Sequence, residues 1–348
     1  MTIVGTMRPT IAPPPSAEIR PGPVPSFSVI IAAYQAAGFV ANAVASALEQ
    51  TAPPHEVIVC DDGSTDDIEG ALEPYLDRIT LLRREHGGEG AAKTAAAFAA
   101  SGEFVALLDA DDLYLPERLE AMGELASSRP DLDLITTDAY LEVDGQAVRR
   151  CYEEDKIFEV NDQRRALLEH DFIFGAAAVR RSRLVEIGGF DETIVSGTDW
   201  DCWIRLVFSG SRAGLVDEPL YRYHMHENAM SSDKLLTSRG QVQTAEKAAR
   251  TLDLTPAEHA LVQRLLAERH GAAELERARR ALLDGAPDAR QRSLKILTQR
   301  GNGLRTRAKA AFGAAAPGTM RRLLQARERR TWVTASGARV SRPADERK

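Results

Sequence analysis

The chain has 348 residues, of which 44% are hydrophobic and 27% are charged, and its formal net charge is -7. That length can bury a full core, and no stretch reaches the roughly 20 apolar residues of a membrane span, so composition excludes a mini-protein and an integral membrane protein. The 3 cysteines lack the spacing of a zinc site or a disulfide framework, which favours a soluble protein of the reducing cytoplasm.

The two ends of the chain differ from its middle. Residues 1–26 hold 7 of the 17 prolines and no apolar core of a signal peptide, so we predict a disordered Pro-rich leader. Residues 290–348 carry 16 Lys/Arg and 3 Asp/Glu, a local balance of +13 that leaves -20 for residues 1–289. The sequence therefore predicts a basic appendage on an acidic body.

From Phe27 onward, short β-rich segments alternate with longer helical ones, which is typical of a parallel sheet with crossover helices. In chain order the predicted elements are a strand in FSVIIAAY, a helix in AGFVANAVASALEQ, a strand in HEVIVCDDGS, a helix in TDDIEGALEPYL, a strand in RITLLRR, a helix in GEGAAKTAAAFAAS and a strand in EFVALLDADD. These steps predict a doubly wound, Rossmann-like α/β half-domain.

After Pro130 the pattern is looser. DLDLITTDAYLEV predicts a strand, DWDCWIRLVFSG predicts a helix, and helical sequence dominates from about Ser231. The predicted organisation is therefore a leader over 1–26, an α/β domain over 27–231, a helical extension over 232–330 that is basic from residue 290, and a flexible basic tail over 331–348.

Two acidic clusters, DDGST and DADD, follow the second and the fourth predicted strands. Because ligands of such sheets bind outside the carboxyl ends of the strands, we expect both clusters to line one crevice. The like charges of Asp109, Asp111 and Asp112 repel one another, so a chain that keeps them together is expected to hold a cation between them. A helix cap is the alternative, but it explains Asp112 and not Asp109.

Six segments resemble the glycosyltransferases of family 2, inverting enzymes of the GT-A fold that use nucleotide-diphospho-sugars. In chain order they are FSVIIAAYQA, HEVIVCDDGSTDD, GEGAAKTAAAFAASGEFVALLDADDLYLPERL, GGFDE, GTDWDCWIRL and YRYHMHENAMS. The resemblance runs from Phe27 to about Ser231. It implies a nucleotide-diphospho-sugar transferase fold with a mixed sheet, to which the helical sequence beyond Ser231 adds a predicted C-terminal extension.

The resemblance implies a DxD-type metal site in the DADD cluster. Mg²⁺ or Mn²⁺ would be held there by Asp111 and Asp112, with Asp109 and Asp111 also lining the donor site, and would neutralise the donor's diphosphate. His226 matches the family's late histidine and is a further candidate metal ligand, with His224 ranked below it. A structural histidine is the alternative at position 226.

The donor's base is expected beside the first two strands. The resemblance implies that Asp62 contacts the base, whereas an Asx turn that caps the following helix is the alternative. Ala32 and Tyr34 would line the same pocket, with the tyrosine ring stacked on the base or else buried in the core. Lys93 is a candidate phosphate contact, and a solvated lysine is its alternative.

On the acceptor side, the resemblance implies that Asp199 is the general base that takes the proton of the attacking hydroxyl. A capping aspartate at the start of a helix is the alternative for Asp199. Asp201, two residues further on, is expected to be structural.

Two other functions are compatible with parts of the pattern. An apolar strand followed by DxD is also the nucleophile motif of haloacid-dehalogenase-like phosphatases, although position 113 is Leu and the motif follows three βα units. A non-catalytic nucleotide-sugar-binding protein would require degraded acid positions, and these are intact. Sugar nucleotidyltransferases carry a Gly-rich, Arg-containing loop where this chain has AAYQAAGFV.

The sequence thus predicts an inverting, metal-dependent glycosyltransferase that moves a sugar, with a UDP-sugar as the favoured donor, to a hydroxyl acceptor in cell-envelope polysaccharide or glycoconjugate assembly. Met320, Leu323 and Leu324 stand among the arginines of TMRRLLQARERRTW, a pattern that suits an anionic membrane surface carrying lipid-linked acceptors. We therefore predict a cytoplasmic protein that can bind peripherally to the inner face of the membrane. A helix packed on the body is the alternative, and no nucleic-acid partner is expected.

Overall fold

The computed structural model describes residues 24–153, 156–226, 229–298, 304–328, 331–333 and 339–341. The leader predicted over 1–26 therefore lies outside the described residues except for its last three positions. Most of the predicted tail over 331–348 also lies outside them. Its described residues form two short paired strands, β10 (Thr331–Val333) and β11 (Arg339–Ser341).

The first part of the α/β domain follows the predicted alternation. Its elements are β1 (Phe27–Ala33), α1 (Val40–Leu48), β2 (Glu56–Asp61), α2 (Ile68–Leu72), a 3₁₀ turn (Glu73–Tyr75), β3 (Thr80–Arg83), α3 (Glu89–Ala99) and β4 (Phe104–Asp109). Helix α3 is rich in alanine, and its small buried side chains let it lie close against β1 and β2.

The second part adds antiparallel pairs. Its elements are β5 (Leu113–Tyr114), α4 (Arg118–Ser128), β6 (Leu134–Val143), β7 (Gln146–Arg150), α5 (Gln163–Glu169), β8 (Ala178–Arg180), α6 (Arg181–Glu186), α7 (Thr198–Phe208) and β9 (Ala213–His224). Strands β6 and β9 run parallel along most of their length, whereas β8 pairs antiparallel with both β4 and β6.

All nine strands of the domain form one mixed sheet in the order β3-β2-β1-β4-β8-β6-β9-β5, with β7 paired to β6. Strands β1, β2 and β4 run parallel side by side, and almost all of their residues are buried because helices cover both faces. The predicted α/β class with a mixed sheet is confirmed. The short β5 pairs with the end of β9, which folds the last strand back over the segment that follows β4.

Helices make up most of the chain beyond the sheet. After a 3₁₀ turn (Met230–Ser232) come α8 (Lys234–Thr251), α9 (Pro256–Asp284), α10 (Ala289–Thr298), α11 (Leu304–Ala315) and α12 (Pro317–Glu328). The long α9 starts with a capping box between Thr255 and Glu258 and ends at Gly285, which has the left-handed φ of 69°. The helical C-terminal extension is thus confirmed.

Among the described residues, no helix is both long enough and apolar enough to cross a membrane. The three cysteines, Cys60, Cys151 and Cys202, are all buried free thiols.

Candidate active site

The two predicted acidic clusters meet at one edge of the sheet. In the parallel register, Ala33 of β1 pairs with Asp61 of β2, and Ala32 pairs with Asp109 of β4. The carboxyl end of β1 is therefore flanked by one acidic residue on each side. Ala32 is half-buried and lies between them.

Asp62 is buried and holds the loop that leads into α3. Its carboxylate accepts hydrogen bonds from the backbone N–H groups of Gly87 (3.1 Å) and Gly88 (2.7 Å), and it lies 2.8 Å from Nδ1 of His86. In the alternative role, the side chain of Asp62 would accept a hydrogen bond from the backbone of the turn before α2. Other residues make such bonds here: Asp61 accepts from the N–H of Ser64, and Asp67 accepts from the N–H of Gly70. The alternative of an Asx turn at Asp62 is therefore wrong.

Gly63 lets β2 and the 84–88 loop approach each other. Its φ is +74°, and a Cβ at this position would lie 2.8 Å from the backbone nitrogen of His86. A larger residue would push the loop away. The glycine is thus required by the protein's own backbone, in addition to any role beside a ligand.

Tyr34 forms an exposed aromatic surface at the same edge. Its ring stacks on the ring of His86, with centroids 4.2 Å apart, and 48% of the residue is exposed. The alternative of a core tyrosine is therefore wrong. A flat aromatic surface beside a buried carboxylate is suited to a heterocyclic base.

Lys93 is buried, so the alternative of a solvated lysine is wrong. Its Nζ pairs with Oε1 of Glu89 at 2.5 Å and with Oδ1 of Asp109 at 3.1 Å. Burial alone would lower the pKa of this ammonium group, but Asp109 and Glu89 raise the pKa well above its usual range. Lys93 therefore places a permanent positive charge beneath the acidic cluster.

Asp111 and His226 form a direct pair at the mouth of the site. Oδ2 of Asp111 lies 2.9 Å from Nε2 of His226, and both side chains are partly exposed. Phe39 stacks on the other side of the histidine ring, with centroids 5.6 Å apart. That contact is a hydrogen bond between the two side chains, and the same two atoms are chemically able to bind a divalent cation when the histidine nitrogen is unprotonated.

Asp112 differs from its neighbours because protein donors already satisfy it. Its two carboxylate oxygens accept hydrogen bonds from the hydroxyl of Tyr221 and the backbone N–H of His224, each at 2.7 Å. Burial, together with the charges of Asp111 and Asp109, raises the pKa of Asp112 well above its usual range. Its geometry suits a support for the neighbouring carboxylates better than a direct metal ligand.

No group of three or more His, Cys, Asp or Glu side chains with metal-site geometry occurs within the described part of the chain. Mg²⁺ commonly binds through one or two carboxylates, with phosphate oxygens and waters as its other ligands. The Asp111–His226 pair fits such a partial site.

Asp199 lies in the first turn of α7, and the charge of Lys93 acts on it. The N-cap is Gly197, in the left-handed region, and Oδ1 of Asp199 accepts from the N–H of Trp200 at 2.9 Å. Gly175 faces Oδ2 so closely that a Cβ there would lie 2.2 Å from it. Burial raises the pKa of Asp199 and Lys93 opposes that rise, so the carboxylate is a better proton acceptor than an exposed one.

Asp201 makes two ion pairs within the protein, which suits the structural role predicted for it. It is buried, and its Oδ2 accepts from Nε of Arg205 at 2.7 Å and from Nζ of Lys247 at 2.8 Å. These bonds turn the carboxylate away from the side of the helix where Asp199 stands.

Residues 28–188 match the model of the family described as Glycosyl transferase family 2. That segment, 161 of the 348 residues, is similar to family 2 glycosyltransferases. The match agrees with the resemblance of the motifs and favours a glycosyltransferase over the phosphatase alternative for the DADD motif.

The curated relatives support the same assignment. The chain is 31% identical over 206 residues to an uncharacterized glycosyltransferase of Rickettsia prowazekii, which covers 58% of this chain and 64% of the relative. It is 31% identical over 189 residues to the chondroitin synthase of Escherichia coli, and this alignment covers 53% of this chain and 26% of the synthase. The chain thus spans less than two thirds of the length of these two relatives.

Solved structures show that the fold is of the GT-A type. The S. aureus TarS fragment 1-349 in complex with UDP superimposes with a TM-score of 0.55 at 18% identity, covering 93% of this chain and 98% of that one. The mannosyltransferase PcManGT from Pyrobaculum calidifontis, in complex with GDP-Man and Mn²⁺, gives 0.56 at 22% identity, covering 88% and 86%. The fold predicted from the resemblance is confirmed.

Sequence reasoning missed a buried cation beneath the family 2 site. The Arg118 guanidinium is fully buried between the rings of Tyr114 and Tyr221, at 4.7 and 4.8 Å from their centroids, and donates to Thr137 and Ala176. Tyr221 in turn donates to Asp112. The arginine thus positions the tyrosine that holds Asp112, and its place within an ordinary helix start gave no signal of this.

Asp171 is the second residue that the sequence did not reveal. Its Oδ1 is buried and has no hydrogen-bond partner among the described residues. Burial raises its pKa from 3.8 to about 8, with Lys156 opposing the rise and Asp199 adding to it. This carboxyl group is therefore largely protonated at neutral pH.

The pKa of Asp171 predicts a pH dependence of stability. Between pH 4 and pH 8 the carboxyl group of Asp171 loses its proton in the unfolded chain and keeps it in the folded chain. Its contribution to the free energy of unfolding is therefore fully present below pH 4 and is lost as the pH rises to about 8. Asp171→Asn removes the titration, and its free energy of unfolding should fall less between pH 5 and pH 8 than that of the wild type, as measured by urea denaturation. The exposed Asp144→Asn variant should keep the wild-type slope; equal slopes in all three proteins would refute the assignment.

Proposed function

We propose that the chain is an inverting, metal-dependent glycosyltransferase that moves one sugar from a nucleotide-diphospho-sugar to a hydroxyl acceptor. The observation that carries this proposal is the shared counter-charge of two carboxylates. Lys93 pairs with Asp109 on the donor side, and its charge also acts on Asp199 on the acceptor side. Such an arrangement suits a reaction in which a leaving group and a proton acceptor stand close together.

The donor's nucleotide would lie across the ends of β1 and β2. The stacked rings of Tyr34 and His86, with the buried Asp62 and the backbone at Ala32, offer an aromatic face and hydrogen-bonding groups for a base. TarS is described in complex with UDP and with UDP-GlcNAc, and PcManGT with GDP-Man. These complexes support a nucleotide-sugar donor for this chain, and we favour a UDP-sugar.

A divalent cation, Mg²⁺ or Mn²⁺, would be held by Asp111 and His226, with Asp112 as a buried support. When bound, it supplies charge neutralisation for the donor's diphosphate. Asp109 lies beside this pair and is fixed by Lys93, which sets the spacing between the donor site and the acceptor side. The complex of PcManGT with Mn²⁺ supports this choice of ion.

Asp199 would act as the general base. Its carboxylate is fixed by the N–H of Trp200 and by the close approach of Gly175, so it can take the proton of an acceptor hydroxyl without a change of rotamer. One base on the acceptor side and displacement of the diphosphate from the other side lead to inversion at the anomeric carbon.

The Asp199→Asn variant tests the base. The amide cannot take the proton, but it keeps the size of the side chain and the acceptor for the N–H of Trp200, so sugar transfer should fall at least roughly 10²-fold while nucleotide binding stays near normal. Transfer is measured as UDP or GDP release with a panel of sugar nucleotides, and binding by thermal shift. Wild-type transfer by the variant would remove Asp199 from this role; nucleotide binding without any transfer by the wild type would favour a non-catalytic binding protein.

The Asp111→Asn variant tests the metal site. Loss of its charge should reduce Mn²⁺-dependent transfer at least on the order of 10²-fold, with an unchanged melting temperature in the absence of metal, because Asp111 is partly exposed. The matched Asp112→Asn variant alters a carboxyl whose oxygens already have protein partners, so it should retain more of the metal response. Full activity of the wild type in EDTA would contradict the proposed metal dependence.

The acceptor and the cellular location are part of the same proposal. Relatives include the chondroitin synthase of Escherichia coli and the hyaluronan synthase of Pasteurella multocida, which supports assembly of a cell-envelope polysaccharide or glycoconjugate. We favour a cytoplasmic protein that reaches lipid-linked acceptors through its basic C-terminal surface. Met320 and Leu324 pack against the end of α9, so contact with lipid would be mainly electrostatic, with only Leu323 exposed in that stripe.

Charge reversal tests the membrane contact. The double variant Lys309→Glu/Arg322→Glu alters two exposed basic residues of α11 and α12 and should sediment less with anionic liposomes than the wild type at low salt. The control reverses Arg212 and Arg250, exposed basic residues outside those helices, and should sediment like the wild type. Equal sedimentation of all three proteins would argue against a membrane role for the basic surface.

A further inference from the structure

The segment that leads into Asp199 lies between two helices. This catalytic loop, residues 190–197, joins the Gly188–Gly189 turn after α6 to the first residue of α7. On one side it contacts α3, where Oγ1 of Thr94 accepts from the N–H of Phe190 at 2.9 Å and donates to its carbonyl at 3.1 Å. Gly90 of α3 approaches so closely that a Cβ there would lie 2.9 Å from the carbonyl oxygen of Asp191.

On its other side the catalytic loop contacts α8, the first helix of the C-terminal extension. The side-chain amide of Gln243 accepts from the N–H of Val195 at 3.1 Å and donates to the carbonyl of Thr193 at 3.2 Å. One amide group therefore satisfies two backbone groups of a loop that has no regular hydrogen-bond ladder of its own. Gln243 is thus one of the contacts that hold the loop in position.

Gly240 of α8 brings the helix and the loop into backbone contact. A Cβ at this position would lie 2.0 Å from the carbonyl oxygen of Ser196, the residue before the N-cap of α7. Any larger side chain must move α8 or the loop, because the obstacle is backbone and cannot rotate away. The distance between the extension and the start of α7 is therefore set by the absence of a side chain.

Lys247, about two turns beyond Gly240 along α8, bridges the start of the loop and the first turn of α7. Its Nζ pairs with Asp191 at the start of the loop and with Oδ2 of Asp201 in the first turn of α7, the latter at 2.8 Å. Burial opposes ionisation of Asp191, but hydrogen bonds from Lys247 and Thr193 lower its pKa to about 2, so this bridge stays charged at neutral pH. Asp199 lies between the two points that Lys247 fixes.

We propose that α8 positions the general base. Gly240, Gln243 and Lys247 hold the catalytic loop against α3, and these contacts determine the position of the Asp199 carboxylate relative to the donor. The inference rests on the proposed function, because it assigns these residues a role in sugar transfer. The C-terminal extension would then contribute to sugar transfer by positioning the carboxylate on the acceptor side of the site. Each of the three is a positioning residue, since none of them lies at the reacting groups themselves.

The experiment compares Gln243→Met, Gln243→Glu and wild-type protein. Methionine keeps the length of the side chain and removes both hydrogen bonds, so kcat should fall roughly 10- to 100-fold, with the nucleotide affinity unchanged. Glutamate keeps the acceptor for the Val195 N–H and should recover part of that loss. Hydrogen exchange of the 190–199 backbone gives an activity-independent measure of the loop, and it should be fastest in the methionine variant.

A glycine pair provides the matched control. Gly240→Ala should reduce kcat and speed exchange in the catalytic loop, because the new Cβ meets the Ser196 carbonyl. Gly318→Ala, in α12, adds the same methyl group where nothing lies within 4 Å and should behave like the wild type. Lys247→Met and Arg250→Met form a second matched pair in α8. Lys247 bridges the loop and α7, so its variant should lose kcat, whereas Arg250 is exposed and its variant should behave like the wild type.

The outcomes separate this inference from the proposed function. Transfer at the wild-type rate by Gln243→Met and Gly240→Ala, in a wild type that is active, would overturn the positioning role of α8. The same holds if kcat falls but nucleotide affinity falls with it, since that result indicates general loss of structure. Absence of transfer by the wild type with every donor would instead count against the proposed function, and unchanged exchange in the variants would still refute the contacts of α8 with the loop.

Discussion

The buried Lys93 ammonium group is the charge on which the rest of the site depends. An ammonium group this deep in a protein is stable only with carboxylate partners, and here Glu89 and Asp109 surround it. The same charge opposes the effect of burial on the pKa of Asp199, so it acts on carboxylates from both β4 and α7. Without it, the acidic residues after β4 and the acidic start of α7 would repel one another across a region with little water.

Two further buried groups, Arg118 and Asp62, hold the segments around this charge cluster in place. Arg118 lies between the rings of Tyr114 and Tyr221, and the hydroxyl of Tyr221 reaches Asp112. Asp62 holds the start of the loop before α3 through the amides of Gly87 and Gly88. The partly exposed groups, Asp109, Asp111 and His226, therefore stand on a framework of buried hydrogen bonds and ion pairs. Such a framework is expected of a site that must present charge without rearrangement.

The elements that the sequence predicted well are those with local signals. The four βα steps have clear periodicity and their strands end in acidic clusters, so both the parallel half of the sheet and the meeting of DDGST with DADD could be predicted. Asp111 and His226 are 115 residues apart, and only the resemblance to a family linked them. Arg118, Asp171 and Gln243 could not be found, because each acts through tertiary contacts and its own helix or loop has no unusual pattern. Lys93 was predicted to lie near the donor, but its burial follows from the packing of α3 against β1 and β2, which no local pattern encodes.

The parallel pairing of β2, β1 and β4 fixes the distance between the strand ends that carry the two acidic clusters. Asp61 and Asp109 end the strands on either side of β1, so the backbones from which the DDGST and DADD clusters extend are separated by two strand spacings, about 10 Å. That distance is a property of backbone hydrogen bonding, and side-chain substitution cannot change it. A ligand that contacts both clusters must match it in length. Evolution within this fold can therefore exchange the groups at the two ends of such a ligand far more easily than it can alter the linker between them.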